Sequence, residues 1–266
     1  MSIELEFLQM VLLKAGDVLS ELFEQRDVSV TDKDDDSLVT AADLASEKTI
    51  LSMINEKYPE DKVFSEEAGL SSADRTPGSK IWIIDPLDGT TNFANKYPFF
   101  CISIARGTFL ESGLIQVDLG GVHDPMRNEC FMAQLGKGVT KNGHPISVRP
   151  NRTPEMAFLV TGFSYHKGEQ LEKDIQRFLS VAERCQSIRR DGAAALDLAY
   201  VAAGIYDAYW EFGLKPWDVA AGSLLVAEAG GVVCDPHDSR KAFDPEMPGI
   251  LCGSKSITDY LLSKMD

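Results

Sequence analysis

The chain has 266 residues and a formal net charge of −15, with 41 acidic and 26 basic side chains. This excess of negative charge argues against binding of a nucleic-acid backbone over a broad surface, although a bound cation could still attract a small anionic substrate. No apolar segment approaches the roughly 20 residues needed to cross a bilayer, and no secretory signal is evident, so we expect no membrane contact. The five cysteines lack Cys-x-x-Cys spacing, which favours reduced thiols in a cytoplasmic protein.

Helices and a short strand are predicted in the first 65 residues. Apolar side chains recur with helical spacing over residues 3–25, and a second helix is predicted over about 41–57, ending before Pro59. Residues 32–37 between them form an acidic loop, and 62–65 are a short strand candidate.

The segment after residue 80 carries the strongest functional signal. Residues 81–84 are an apolar run that predicts a buried strand ending at Asp85, because Pro86 has no N–H to donate to a strand ladder. Asp88 follows three residues later, and two such close carboxylates repel each other unless a divalent cation lies between them. Backbone N–H groups of residues 89–91 would suit a phosphate. The same residues are also good turn formers, so this segment alone leaves both interpretations open.

The middle of the chain is predicted to be rich in strands, and the last third alternates strands with helices. The change after Pro150 and Pro154 suggests a boundary between an N-terminal α+β half, residues 1–150, and a C-terminal α/β half, residues 151–266, packed as one compact unit. Predicted strands cover 100–106, 111–117, 129–133, 146–148 after an Asn142-Gly143 turn, 158–161, 187–189 and 207–212, and predicted helices cover about 168–184, 193–203, 219–229 and 256–264.

Further acidic residues have both structural and functional explanations. Glu66-Glu67 could be a solvated pair, but it follows a strand as Asp85 does, and ligands in α/β proteins gather at the carboxyl ends of strands. Asp43 fits a capping box with Thr40, and Asp218 fits the N-cap of the 219–229 helix. Glu66 could therefore meet Asp85 and Asp88, and a capping Asp43 could also hold a water or a hydroxyl. Residues 211–218 bring two acids and a lysine into one loop.

Taken together, these segments closely resemble the inositol monophosphatase family of Mg²⁺-dependent, lithium-sensitive phosphatases. The resemblance runs along nearly the whole chain and depends on four segments that occur in the family's order. These are residues 38–43, 65–67, 82–93 and 211–221, while 195–204 and 213–218 look like the bacterial branch.

The resemblance implies an α/β (α+β) fold, a layered αβαβα sandwich, and usually a homodimer that binds two or three Mg²⁺ ions per subunit. Its metal ligands would be Glu66, Asp85 and the Leu87 carbonyl for a first ion, and Asp85, Asp88 and Asp218 for a second, with a weaker third ion held by Glu66 through water.

The resemblance also implies catalytic and substrate-binding roles. In addition to Glu66, the catalytic residues would be Thr90 and Asp43, which as a pair would orient the attacking water. Gly89 and Thr90 N–H groups would bind phosphate, and Glu211 and Ala194, with Gly192 nearby, would contact the alcohol.

The expected substrate is myo-inositol-1-phosphate or a similar small polyol monophosphate. Thr91-Asn92 argues against the nucleotidase-like branch of the superfamily, which typically has Lys-Glu there. Lys33 lies near the position of a family loop lysine, and Ala193 replaces a Thr or Ser of several relatives. Fructose-1,6-bisphosphatase activity, alone or in addition, is the main alternative, and a non-catalytic role as a partner of the transcription machinery is another.

Overall fold

The structure is a computed structural model that describes residues 2–24, 30–32, 38–150, 152–163, 168–237, 244–247 and 249–265. Within these residues the chain forms seven α-helices. They are α1 Ile3–Glu24, α2 Ala41–Lys57, α3 Thr90–Ala94, α4 Glu169–Ala182, α5 Ala194–Ala202, α6 Pro216–Glu228 and α7 Lys255–Leu262.

The strands of the described residues form a two-stranded ribbon and two larger sheets. The ribbon pairs β1 Val30–Asp32 with β2 Leu38–Thr40. The first large sheet contains β3 Lys62–Ser65, β4 Gly69–Leu70, β5 Lys80–Asp88, β6 Cys101–Phe109, β7 Ile115–Asp124, β8 Glu129–Gln134, β9 Gly138–Lys141 and β10 His144–Pro145, in the order β10-β9-β8-β7-β6-β5-β3-β4. The second contains β11 Phe158–Thr161, β12 Ser187–Arg189, β13 Ala208–Phe212, β14 Val232–Cys234 and β15 Gly249–Gly253, in the order β12-β11-β13-β15-β14.

Helices cover both faces of each large sheet, which confirms the layered αβαβα sandwich. Helices α1 and α2 pack on one face of the first sheet, and α5 and α6 lie between the two sheets. Helices α4 and α7 pack on the outer face of the second sheet. Residues 81–84 of β5 are all apolar because both faces of this strand are covered by helices. Trp82 and Ile84 point toward α1 and α2, while Ile81 and Ile83 point toward α5 and α6.

The two central helices pack closely because one of them carries a glycine at the contact. A Cβ atom added at Gly222 of α6 would lie 2.5 Å from the Cβ of Leu198 on α5. No larger residue fits there without moving one helix, so this glycine sets the spacing of the middle layer.

Strand β5 does not end at Asp85, so the predicted end of this strand is wrong. It continues to Asp88 through a bulge, since Asp85 pairs with Ser103 while Asp88 pairs with Cys101. A bulge tolerates a proline because one residue leaves the regular ladder. The Pro86 carbonyl is satisfied from outside the sheet, by the buried Ser46 hydroxyl at 2.8 Å.

Other predicted elements shift in their bounds. Residues 111–114 form a turn and coil before β7. Residues 146–148 form no strand: the Ile146 N–H makes a single hydrogen bond to the Val139 carbonyl of β9 at 3.3 Å, and the Val148 N–H donates to the Ala229 carbonyl after α6. Helix α6 begins at Pro216, so Asp218 lies in its first turn and is not its N-cap. The remaining predicted helices and strands occur within a few residues of their expected bounds.

Along the chain, residue 150 falls between β10, the last strand of the first sheet, and β11, the first strand of the second. One apolar cluster contains residues of both sheets. The division into halves at this residue stays a prediction. Lys33 and the rest of 33–37 lie outside the described residues. In the part of the chain that the structure describes, no helix is both long and apolar enough to span a membrane.

Candidate metal and phosphate site

The bulged end of β5 folds into a compact turn that presents several oxygen atoms. Asp85 is buried, and one of its carboxylate oxygens accepts a hydrogen bond from the Leu87 N–H at 3.1 Å. The Thr90 hydroxyl donates to the Leu87 carbonyl oxygen at 3.0 Å. Gly89 follows Asp88 with a φ of 91°, a conformation that favours glycine.

Helix α3 starts directly after this turn, two residues before the expected Asn92. The backbone N–H groups in the first turn of a helix have no acceptor inside the helix, so those of Thr90 and Thr91 can serve an anion. The Asn92 amide donates to the Asp191 carbonyl at 2.8 Å, which attaches the turn to the segment before α5, and to the Phe99 carbonyl at 2.7 Å, just before β6.

A second set of acidic residues lies beside this turn. Glu66 follows β3, and its N–H donates to the Ile84 carbonyl at 3.2 Å, which places it alongside the end of β5. Carboxylate oxygens of Glu66, Glu67 and the fully buried Asp43 all lie within 4.8 Å of one another. This group has the donor chemistry of a site for a hard cation.

The start of helix α6 brings Asp218 to the same place. The Trp217 carbonyl accepts a hydrogen bond from Ser103 at 3.2 Å, and Ser103 pairs with Asp85 across the sheet. The Trp217 ring packs edge-on against Phe64, with ring centroids 5.1 Å apart. These contacts hold the first turn of α6 against the first sheet.

The carboxylates of this site repel one another. Burial raises the pKa of Asp85 well above its usual value, and nearby negative charges raise it further. These charges belong to Glu66, Asp88, Asp218 and Asp43. Such a set of oxygen donors fits a hard divalent cation, which would relieve the repulsion.

Hydrogen bonds orient the other two carboxylates. One oxygen of Asp88 accepts from the Ala195 N–H at 2.7 Å, with the Cys101 thiol 3.6 Å away. Burial raises the pKa of Asp88 to about 6, although these hydrogen bonds oppose the increase. Asp218 accepts from the Lys215 N–H at 2.7 Å, and burial raises its pKa well above the usual value, with the charge of Asp88 as the next cause.

The residues expected to contact the alcohol come from the part of the chain after residue 150, on β13 and at or just before the start of α5. Gly192 has a φ of 82°, and its carbonyl lies 3.4 Å from the Asn92 amide nitrogen. Ala194 is the first residue of α5. Burial raises the pKa of Glu211 to about 7, and a hydrogen bond from Tyr209 at 2.6 Å opposes the increase.

The structure therefore brings the predicted residues to one region, while their functional roles stay predictions. The pairing of Thr90 with Asp43 also stays a prediction. The Thr90 hydroxyl donates its hydrogen bond to the Leu87 carbonyl oxygen. Sequence reasoning missed Tyr209 and Asp197, a buried acid whose pKa burial raises well above its usual value. A single acid within the apolar stretch of α5 was the available signal for Asp197.

Comparisons with known proteins agree with this fold. The model of the inositol monophosphatase family matches residues 4–266. The chain is 42% identical over 255 residues to the Nus factor SuhB of Pseudomonas aeruginosa, covering 94% of this chain and 90% of that protein. It is 41% identical over 208 residues to the inositol-1-monophosphatase of Synechocystis, covering 76% and 69%. The solved structure of the extragenic suppressor protein suhB from Bartonella henselae has a TM-score of 0.90 and 32% identity, covering 100% of this chain and 99% of that one. The chain therefore belongs to the inositol monophosphatase family.

Proposed function

We propose that this protein is a Mg²⁺-dependent phosphomonoester hydrolase that acts on myo-inositol-1-phosphate or a similar polyol monophosphate. The observation that carries the proposal is the convergence of Asp85, Asp88, Asp218 and Glu66 beside the first turn of α3. Family membership and the similarity to an inositol-1-monophosphatase support the reaction type.

The metal ligands follow from the donor chemistry of these residues. Glu66, Asp85 and the Leu87 carbonyl would hold one Mg²⁺ ion, and Asp85, Asp88 and Asp218 a second, with a weaker third ion at Glu66. When bound, Mg²⁺ neutralises phosphate charge and makes a water molecule more acidic.

The remaining roles belong to the residues around the metal ligands. The N–H groups of Gly89 and Thr90 bind the phosphate oxygens, since α3 begins there. Asp43 and the Thr90 hydroxyl orient the attacking water, and the carboxylate takes up its proton. Glu211, with Ala194 and Gly192, contacts the hydroxyl groups of the leaving alcohol.

A phosphate-release panel tests this proposal. The purified protein is assayed with inositol-1-phosphate, fructose-1,6-bisphosphate, 3′-phosphoadenosine 5′-phosphate and histidinol phosphate, in Mg²⁺, in Mg²⁺ with Li⁺, and in EDTA. We expect the highest kcat/KM with inositol-1-phosphate, inhibition by Li⁺ and no turnover in EDTA.

Variants connect the assay to the site. Asp85→Asn removes turnover, while the surface control Asp17→Asn keeps it, and circular dichroism verifies that both are folded. Full activity in EDTA or in Asp85→Asn contradicts the metal assignment. Comparable kcat/KM for fructose-1,6-bisphosphate supports dual activity.

A second candidate function is binding to the transcription machinery. It is favoured by one observation, the 42% identity over 94% of this chain to a protein named Nus factor SuhB. Affinity purification of the parent and of the Asp88→Asn variant from cell lysate separates the two functions. Recovery of RNA polymerase or Nus proteins with both forms supports a binding role independent of catalysis, and their absence from both contradicts it.

We also propose that the protein is a cytoplasmic homodimer. The five cysteines are all free thiols, in agreement with a reducing compartment. Light scattering coupled to size-exclusion chromatography measures the mass in solution, and cell fractionation measures the location. A monomeric mass or a periplasmic location contradicts the respective part of the proposal.

A further inference from the structure

A tyrosine on the same strand, Tyr209, holds the Glu211 side chain by a hydrogen bond. Tyr209 and Glu211 are two residues apart on β13, so their side chains leave the same face of the sheet. The Tyr209 hydroxyl donates to Oε2 of Glu211 at 2.6 Å. Tyr209 has no solvent exposure, so its ring and hydroxyl have little freedom to move.

The neighbouring strand leaves space for the same carboxylate. Strand β11 pairs with β13 in parallel, with Thr161 opposite Trp210, so the next residue, Gly162, comes alongside Glu211. A Cβ atom added at Gly162 would lie less than 3.0 Å from both oxygens and Cδ of Glu211, and these are its three nearest atoms.

The backbone does not require glycine at this position. Gly162 is absent from the glycines with positive φ, whereas Gly192 at the same site has a φ of 82°. The Glu211 carboxylate is therefore what excludes a side chain at residue 162. Glu211 lies near the end of β13, and the chain then enters α6, the helix that carries Asp218. The charge of Glu211 is one of those that raise the pKa of Asp218, after burial and the charge of Asp88.

We propose that Tyr209 and Gly162 are positioning residues that fix the Glu211 carboxylate for a hydroxyl group of the substrate. The Tyr209 hydroxyl donates to Oε2 of Glu211. The absence of a side chain at Gly162 leaves room for the carboxylate to lie where its Oε1 can accept a hydrogen bond from the substrate hydroxyl. The two residues thereby set the preference for polyol phosphates over phosphate esters whose alcohol carries no further hydroxyl. This inference rests on the proposed phosphatase function.

Two conservative variants move the carboxylate in different ways. Gly162→Ala introduces a Cβ whose nearest atoms are the far end of a flexible side chain, so the carboxylate gives way and the fold remains. Tyr209→Phe keeps the buried ring and removes only the hydroxyl. Circular dichroism and the urea midpoint establish that both variants are folded.

The assay compares inositol-1-phosphate with p-nitrophenyl phosphate, whose alcohol has no further hydroxyl. We expect either variant to lower kcat/KM for inositol-1-phosphate roughly 10- to 100-fold, the size of one lost hydrogen bond to a charged group. For p-nitrophenyl phosphate we expect a change of less than about 3-fold, because the phosphate and metal contacts are unaltered. Tyr260→Phe on α7 is the matched control and leaves both values unchanged.

Combining each variant with Glu211→Ala tests whether the effect passes through Glu211. The inference requires that Gly162→Ala and Tyr209→Phe cause no further loss in that background. Equal losses with both esters, or additive losses in the Glu211→Ala background, overturn it while the phosphatase function stands. A parent protein that hydrolyses neither ester overturns both.

Discussion

Replacing Asp88 by asparagine should stabilise the metal-free protein while abolishing its turnover. Asparagine has nearly the shape of aspartate, and its carbonyl oxygen can still accept the hydrogen bond from the Ala195 N–H. The substitution removes a negative charge from a buried group of carboxylates that includes Asp85 and Asp218. Such a group of buried negative charges is therefore a source of instability when no cation is bound.

The magnitude follows from the pKa of Asp88, which burial raises from 3.8 to about 6. A shift of about 2 units corresponds to about 3 kcal/mol of unfolding free energy as an upper limit, and water in the site reduces this to about 1–2 kcal/mol. Because the folded-state pKa is the higher one, the native protein binds more protons than the unfolded chain between these values. The destabilisation is therefore absent below about pH 4 and complete above about pH 7.

Urea denaturation in EDTA measures this effect. At about pH 8 we expect Asp88→Asn to unfold at higher urea than the parent, and this difference to shrink as the pH falls through about 6. Asp17→Asn, on the exposed face of α1, is the control and should show no such trend. Equal stability of Asp88→Asn and the parent at about pH 8, or a difference that grows on acidification, would refute this account.

Three further substitutions test other parts of the site and its support. Asp218→Asn should abolish turnover and reduce, without abolishing, the increase in melting temperature on adding Mg²⁺, because the ligands of the first ion remain; thermal denaturation with and without EDTA measures this, and an undiminished increase counts against Asp218 as a ligand. Ser46→Ala should lower the free energy of unfolding by about 1–3 kcal/mol, since the buried Pro86 carbonyl loses its partner, and urea denaturation measures this. Gly222→Ala should cost about 1–3 kcal/mol in the same assay because its Cβ would overlap Leu198, and an unchanged urea midpoint would contradict the close contact of the central helices.

Most elements were predictable because their patterns are local. The apolar spacing of residues 3–25 predicts α1 almost to its ends, and glycines mark the ends of α5 and α6. The course of β5 past Pro86 was not predictable, since the bulge depends on how Asp88 pairs with Cys101 on another strand. The same applies to 146–148, whose strand-like residues make one bond to β9 and one to the end of α6 and therefore no continuous ladder.

The candidate site divides in the same way. Asp85 and Asp88 could be singled out because they lie three residues apart on one segment, and Glu66 because it ends a strand as Asp85 does. Tyr209 and Gly162 could not, because their relation to Glu211 depends on the parallel register of β11 and β13. A tyrosine two residues before an acid is unremarkable until the strand places both on one face.

The carboxylates of this site come from both sides of the junction near residue 150. Asp85 and Asp88 belong to the first sheet, while Asp218 arrives on a helix between strands of the second. A chain cut at this junction would leave an incomplete donor set in each fragment. If the proposed phosphatase function holds, phosphate release from the mixed fragments would then measure how far they reassemble.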